Sequence, residues 1–203
     1  MTMPMVDFWF DFASSYSYPA AMRADALAAK SGIRLRYRPF LLGPIFKAQG
    51  WDTSPFNIYE AKGRYMWRDL ERLCGDLGIP FRRPSPFPQN SLLAARVAIA
   101  LDGERWHDEF CRAVFRAQFG EGRRIDDPAV IGDLLNTVGA PPGATFERAG
   151  SDPIKQRLRG QTEEAGRLGI FGAPTFIAPD GELFWGNDRL EAALAWAKRI
   201  AQL

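Results

Sequence analysis

Thiols, imidazoles and long apolar runs are scarce in this chain, and each scarcity closes off a class of function. Only 2 cysteines and 1 histidine occur in 203 residues. Cys74 lies beside Leu70, Leu73 and Leu77, and Cys111 near Phe115, on two separate helical patterns. Buried structural thiols are expected there, not a disulfide framework or a redox pair. With His107 as the only imidazole, neither a metal site nor a Ser-His-Asp hydrolase is expected. No basic run is dense enough for nucleic acid, because the arginines are interleaved with acids and the net charge is only +2. Asp7 and Asp11 interrupt the opening apolar segment, no stretch is long enough to span a bilayer, and no secretory leader pattern is visible. Neither nucleic acid nor membrane is an expected partner, and the cytoplasm is the expected compartment.

What is present is the composition of a soluble globular protein, 46% hydrophobic and 25% charged. The length suffices for one large core or for a domain carrying an insertion. Val6, Phe8, Phe10 and Phe12 alternate with Asp7, Trp9 and Asp11, the period of a strand. Tyr16 to Lys30 is alanine-rich and stops at Gly32, a helix. Ile33, Leu35 and Tyr37 alternate with arginines up to Pro39, a second strand. This βαβ unit is expected to be parallel.

From Phe40 to about Pro55 the signals are irregular, and four or five helices follow. Asn90 or Ser91 is a natural N-cap for one of them, and Asp127-Pro128 opens another. The last long helix of the block runs from Ile154 to Leu168. A hairpin, Thr175–Ala178 and Glu182–Trp185 about a Pro179-Asp180-Gly181 turn, then precedes a final helix starting near Asp188. The order βαβ, helical block, ββα predicts an α/β fold of the thioredoxin type with a large inserted all-helical block. Residues 1–42 and 169–203 would form the discontinuous thioredoxin-like domain, and 43–168 the helical insertion.

Three short runs could carry chemistry. Ser14-Ser15-Tyr16-Ser17 sits where a thioredoxin-type protein carries Cys-x-x-Cys, with serine at both sulfur positions. Orphan N–H groups and a hydroxyl converge there at a helix N-terminus, which suits an anionic sulfur. Gly172-Ala173-Pro174-Thr175 places proline at the entry of a returning strand, the usual place for a cis bond in such a fold, leaving the Ala173 backbone free for a peptide-like ligand. Trp185-Gly186-Asn187-Asp188-Arg189 passes from strand to helix, where a helix start could receive a carboxylate and Asp188 an ammonium. Taken locally, Ser14, Asn187 and Asp188 are also plain N-caps.

These runs, together with Asp11-Phe12-Ala13 and Lys62-Gly63-Arg64-Tyr65-Met66-Trp67-Arg68-Asp69-Leu70, resemble the 2-hydroxychromene-2-carboxylate isomerases. That family is related to kappa-class glutathione transferases within the DsbA-like thioredoxin superfamily. One departure is visible: Ser15 replaces the proline usual in the family turn. The resemblance implies a DsbA/kappa glutathione transferase type of fold, glutathione as cofactor, a small aromatic carboxylate as substrate, and a homodimer. It implies that Ser14 is catalytic and holds the glutathione sulfur as thiolate. Ala173 would pair with the cysteinyl part beside a cis Pro174, Asn187 and Asp188 would hold the γ-glutamyl end, and Asn57 and Lys62 would reach the glycyl end. Tyr16, Phe40, Trp51 and Trp67 are candidate walls for the substrate, and Arg82, Arg83 and Arg96 candidate partners for its carboxylate.

Overall fold

The strand with an apolar residue at nearly every position becomes the middle of the sheet. A computed structural model describes residues 3–202 and places β1 (Met5–Phe10), β2 (Arg34–Pro39), β3 (Thr175–Ile177) and β4 (Leu183–Trp185) in the order β2-β1-β3-β4. β1 runs parallel to β2 and antiparallel to β3, and β3 antiparallel to β4. Val6, Phe8 and Phe10 face α1 (Ser17–Ser31) and α10 (Leu190–Ile200), while Trp9 packs in a separate cluster with Phe40, Ile45 and Ala165. Burial on both faces explains why this strand tolerates so few polar residues. On the edge strand β2, Arg34 and Arg36 face solvent while Arg38 folds over the Trp9 ring at 4.6 Å, and Arg36 forks onto Asp7, its register partner, with two bonds of 2.6 Å.

α1 buries an alanine stripe, Ala20, Ala21, Ala24 and Ala28, which lets the helix lie close on the sheet. It ends at Gly32, whose φ of 70° is the left-handed conformation that glycine adopts without strain. Between β2 and β3 the chain is helical: α2 (Leu42–Ala48), α3 (Pro55–Ile58), α4 (Glu60–Asp76), α5 (Leu92–Leu101), α6 (His107–Phe115), α7 (Pro128–Val138), α8 (Pro142–Gly150) and α9 (Asp152–Arg167). An aromatic seam joins these helices to the sheet. Phe8 stacks on Phe176 at 5.1 Å between centroids, and Phe115 of α6 meets Phe10 at 5.5 Å and Phe12 at 5.1 Å. The core therefore runs without a break from strands to inserted helices. Among the described residues no helix is long and apolar enough to cross a membrane.

Several elements depart from the expected pattern. The first strand stops at Phe10, because Asp11 and Phe12 already belong to the turn that leads into α1. The stretch after Phe40 is not irregular throughout but carries α2 and α3. The latter starts with Pro55 after the Ser54 cap, whose side chain accepts from Phe56 N. α8 arises in a Pro- and Gly-rich stretch, since proline at the first helical turn lacks only an N–H that has no helical partner anyway. α6 continues into a π-helical turn, Arg116–Gly120. Ser91 precedes α5 without a side-chain cap, and Asn90 Oδ1 instead accepts from Leu92 N at 3.0 Å. The Asp127 cap is observed as expected, on Ala129 N.

Both cysteines are fully buried; burial pushes the Cys74 thiol up to about 11 and raises Cys111 as well. A thiol reagent should therefore find no reactive cysteine in the native protein at neutral pH, and 2 once it is unfolded in denaturant. A second outcome concerns Gly63 in α4, where an added Cβ would stand 2.3 Å from the Phe56 carbonyl oxygen. Gly63→Ala should gain about 1 kcal/mol of helix propensity but lose more to the clash with backbone, a net destabilisation of about 1–3 kcal/mol in denaturant melts.

Candidate functional site

At the carboxyl end of β1 the chain makes a tight turn whose geometry is set by Asp11. Its carboxylate, 4% exposed, accepts from Ala13 N at 2.9 Å and from Leu42 N at 2.7 Å, and its carbonyl accepts from Ser14 N at 2.9 Å. Burial raises its pKa, opposed by the hydrogen bonds from Leu42, Ser91 and Ala13. Asp11 thus ties the turn to the start of α2.

Within the turn the serines have different fates. Ser15 Oγ donates to Met66 Sδ of α4 at 3.0 Å. Ser17, the second of the two serines expected in place of a Cys-x-x-Cys pair, is completely buried and its hydroxyl has no partner among the described residues. Ser14 is not a helix cap, since Tyr16 holds that position without a side-chain bond. Instead Ser14 Oγ donates to the carbonyl of Ala173 at 2.9 Å. The Ala173–Pro174 peptide is cis, as are Ser85–Pro86 and Phe87–Pro88.

The Ala173 backbone is therefore only half free. Its carbonyl, expected to be open, accepts the Ser14 hydroxyl, whereas its N–H has no partner among the described residues. The hairpin returns the chain to the same end of the sheet, where Gly186 N donates to Pro174 O at 2.9 Å. Asn187, buried, and Asp188, exposed, follow in a 3₁₀ turn before α10, with no side-chain cap on either element. Beside this loop the rings of Phe171 and Trp185 lie 4.9 Å apart at the surface. Gly172 leaves room for that indole, because a Cβ there would come within 2.5 Å of Trp185 Nε1.

The structure brings Ser14, Ala173, Pro174, Asn187 and Asp188 to one end of the sheet. Asn57 and Lys62 stay outside this hydrogen-bonded group. Asn57 Nδ2 donates to Thr53 Oγ1 and to the Phe87 carbonyl, and Lys62 Nζ lies over the Tyr59 ring at 4.7 Å. Of the candidate walls, Tyr16 and Trp67 share one cluster with Phe56, Phe81 and Phe87. Phe40 cannot line a site, being wholly enclosed beside Trp9, and Trp51 packs on Phe46. The Tyr16 hydroxyl donates to Asp69 at 2.9 Å; burial, then that carboxylate, lift its pKa well above the ordinary phenol value, so it stays protonated. Arg83 covers the Trp67 ring at 4.7 Å, while Arg82 donates to the Glu121 carbonyl. Arg96 has a buried Nε without a partner among the described residues. A surface cavity of about 790 Å³ lies at the opposite end of the sheet beside Met5, Asp7 and Ile177.

Two residues of this region had little sequence signal. Asp11 looked like a polar step in an alternating strand, and its position directly before the turn was the available clue. Arg23 of α1 grips Asn187, 164 positions away, and no local pattern announces such a partner.

Residues 5–195 match the family described as DSBA-like thioredoxin domain. The chain is 30% identical over 187 residues to 2-hydroxychromene-2-carboxylate isomerase of Sphingobium xenophagum, covering 92% of this chain and 94% of that protein. It is 28% identical to glutathione S-transferase kappa 1 of Homo sapiens, over 92% and 88% of the two chains. A solved structure of 2-hydroxychromene-2-carboxylate isomerase superposes with a TM-score of 0.83 at 30% identity, covering 98% of this chain and 96% of the other. The cytosolic disulfide reductase DsbM from Pseudomonas aeruginosa, solved with GSH, shares the fold at a TM-score of 0.71 and 19% identity, over 98% and 100% of the two chains. This chain belongs to the DSBA-like thioredoxin domain family, in its branch of 2-hydroxychromene-2-carboxylate isomerases and kappa glutathione transferases.

Proposed function

We propose that the protein is a glutathione-dependent cis–trans isomerase that interconverts 2-hydroxychromene-2-carboxylate and trans-o-hydroxybenzylidenepyruvate. The observation that carries this reading is the 2.9 Å bond from Ser14 Oγ to the Ala173 carbonyl, beside an Ala173 N–H that has no partner among the described residues. It aligns a hydroxyl and a peptide edge in the arrangement that a cysteinyl residue needs. When such a residue binds, the Ser14 hydroxyl turns to its sulfur and the Ala173 carbonyl is released to accept its amide N–H. One internal bond is exchanged for at least two intermolecular ones.

Bound glutathione supplies a sulfur nucleophile whose reversible addition turns the conjugated double bond into a single bond, permits rotation, and then restores conjugation. The work of the chain is to hold that sulfur as an anion. A free thiol with a pKa of about 8.5 is only a few per cent ionised at neutral pH. Lowering it by two units takes about 2.7 kcal/mol. The Ser14 hydroxyl, as a bond to a charged group, can contribute about 1.5–3 kcal/mol, and the dipole at the start of α1, whose Ser17 and Tyr18 N–H groups are already paired with the Ser14 and Ser15 carbonyls, adds a smaller attraction. Serine at position 17 removes the resolving thiol, so dithiol exchange is not available to the protein itself. The aromatic substrate would lie against Tyr16 and Trp67, with Arg83 over the same indole as the partner for its carboxylate.

An ultraviolet titration of glutathione on the wild type should show a thiolate band rising near neutral pH. In Ser14→Ala the band should move up by about one unit or more, with kcat for the isomerisation down about 10- to 100-fold. An unchanged apparent pKa and turnover would remove Ser14 from this role. Product analysis decides the outcome of the chemistry. Recovery of free glutathione with the trans isomer supports the isomerase, whereas a released conjugate marks a kappa-type transferase. No thiolate band and no turnover would leave a redox-inactive peptide-binding protein, and insulin reduction by the purified protein would overturn the whole reading.

A further inference from the structure

One guanidinium on α1 controls how the loop after β4 presents itself. Arg23 Nε donates to Asn187 Oδ1 at 3.2 Å, one terminal nitrogen donates to the Asn187 carbonyl at 2.6 Å, and the other pairs with Glu191. The side chain is largely covered, 19% exposed. A carboxamide has an acceptor end and a donor end, and the acceptor end of Asn187 is engaged by Arg23. The donor end, Nδ2, makes no hydrogen bond among the described residues. The same arginine leaves α1, the helix that follows Ser14, and anchors the 3₁₀ turn of Asn187–Arg189.

We propose that Arg23 is a positioning residue for the γ-glutamyl end of the bound tripeptide: by taking the Asn187 carbonyl oxygens it turns the Asn187 NH₂ toward the ligand's α-carboxylate. This rests on the glutathione reading above. A methionine at position 23 would fill similar space without a donor and leave the amide free to flip, presenting an acceptor to an anion. A lysine keeps the charge but not the planar fork that reaches two oxygens of one residue. Glu191 faces away from Asn187 across the guanidinium, so its charge is not required for the amide orientation.

The test compares glutathione with N-acetyl-cysteinylglycine, which keeps the thiol, the amide and the glycyl end but lacks the γ-glutamyl carboxylate and ammonium. Dissociation constants are measured by calorimetric titration. The wild type should prefer glutathione. Arg23→Met should weaken glutathione about tenfold while the truncated thiol binds within about twofold of its wild-type affinity. Arg23→Lys should fall between, Glu191→Gln should leave both ligands unchanged, and adding Arg23→Met to Asn187→Ala should cause no further loss. Equal weakening of both ligands, or no weakening of glutathione in either Arg23 variant, overturns the proposal. A wild type that binds neither ligand overturns the glutathione reading itself, so the two failures are distinguishable.

Discussion

A single proton, carried by the Ser14 hydroxyl and shared with a carbonyl 159 positions later, joins the two ends of this chain at the proposed reaction centre. Everything around it serves to make that meeting reproducible. The Asp11 carboxylate fixes the turn that presents the hydroxyl, and the antiparallel pairing of β3 with β1 fixes the carbonyl. A buried carboxylate is an expensive way to hold a turn, since it must be desolvated and receives only backbone and hydroxyl donors in return. Its retention in a packed site is intelligible if geometry, rather than stability, is what it secures.

Position 14 of this turn holds an oxygen, which cannot alternate between a free and a disulfide-bonded state, and position 17 a buried hydroxyl with no partner among the described residues. The turn therefore supports no dithiol chemistry of its own. What remains at this end of the sheet is a set of polar groups: the Ser14 hydroxyl, the Ala173 carbonyl that accepts it, and the turn before α1. The two cysteines that do exist are deep in the core and do not substitute for the missing pair.

Much of this arrangement was readable from residues alone, and the reasons are physical. Alternation over Val6–Phe10, the alanine stripe of α1 and the Pro179-Asp180-Gly181 turn are local signals, and local structure obeys them. Ala173-Pro174 was readable because only proline tolerates the cis bond that is found there. α2, α3 and α8 escaped, because proline and glycine mark both loops and helix starts, and only packing against neighbours decides between them. The pairing of Ser14 with the Ala173 carbonyl also escaped, as did the grip of Arg23 on Asn187. Both depend on how distant segments are brought together, which no window of the sequence contains. Phe40 shows that an aromatic near a site can belong wholly to the core, for it is enclosed beside Trp9.

The position of β1 in the sheet has a consequence for the birth of the molecule. It is made before β2 and all the inserted helices, yet one of its two neighbours, β3, follows more than 160 residues later. Until then an apolar strand with one vacant edge must wait beside β2 and α1, covered only by whatever helices have already docked. Such a strand invites pairing with other nascent chains. α6 is made before β3, and its Phe115 packs on Phe10 and Phe12, so the means to cover part of that apolar surface is in the chain before the strand that closes the sheet.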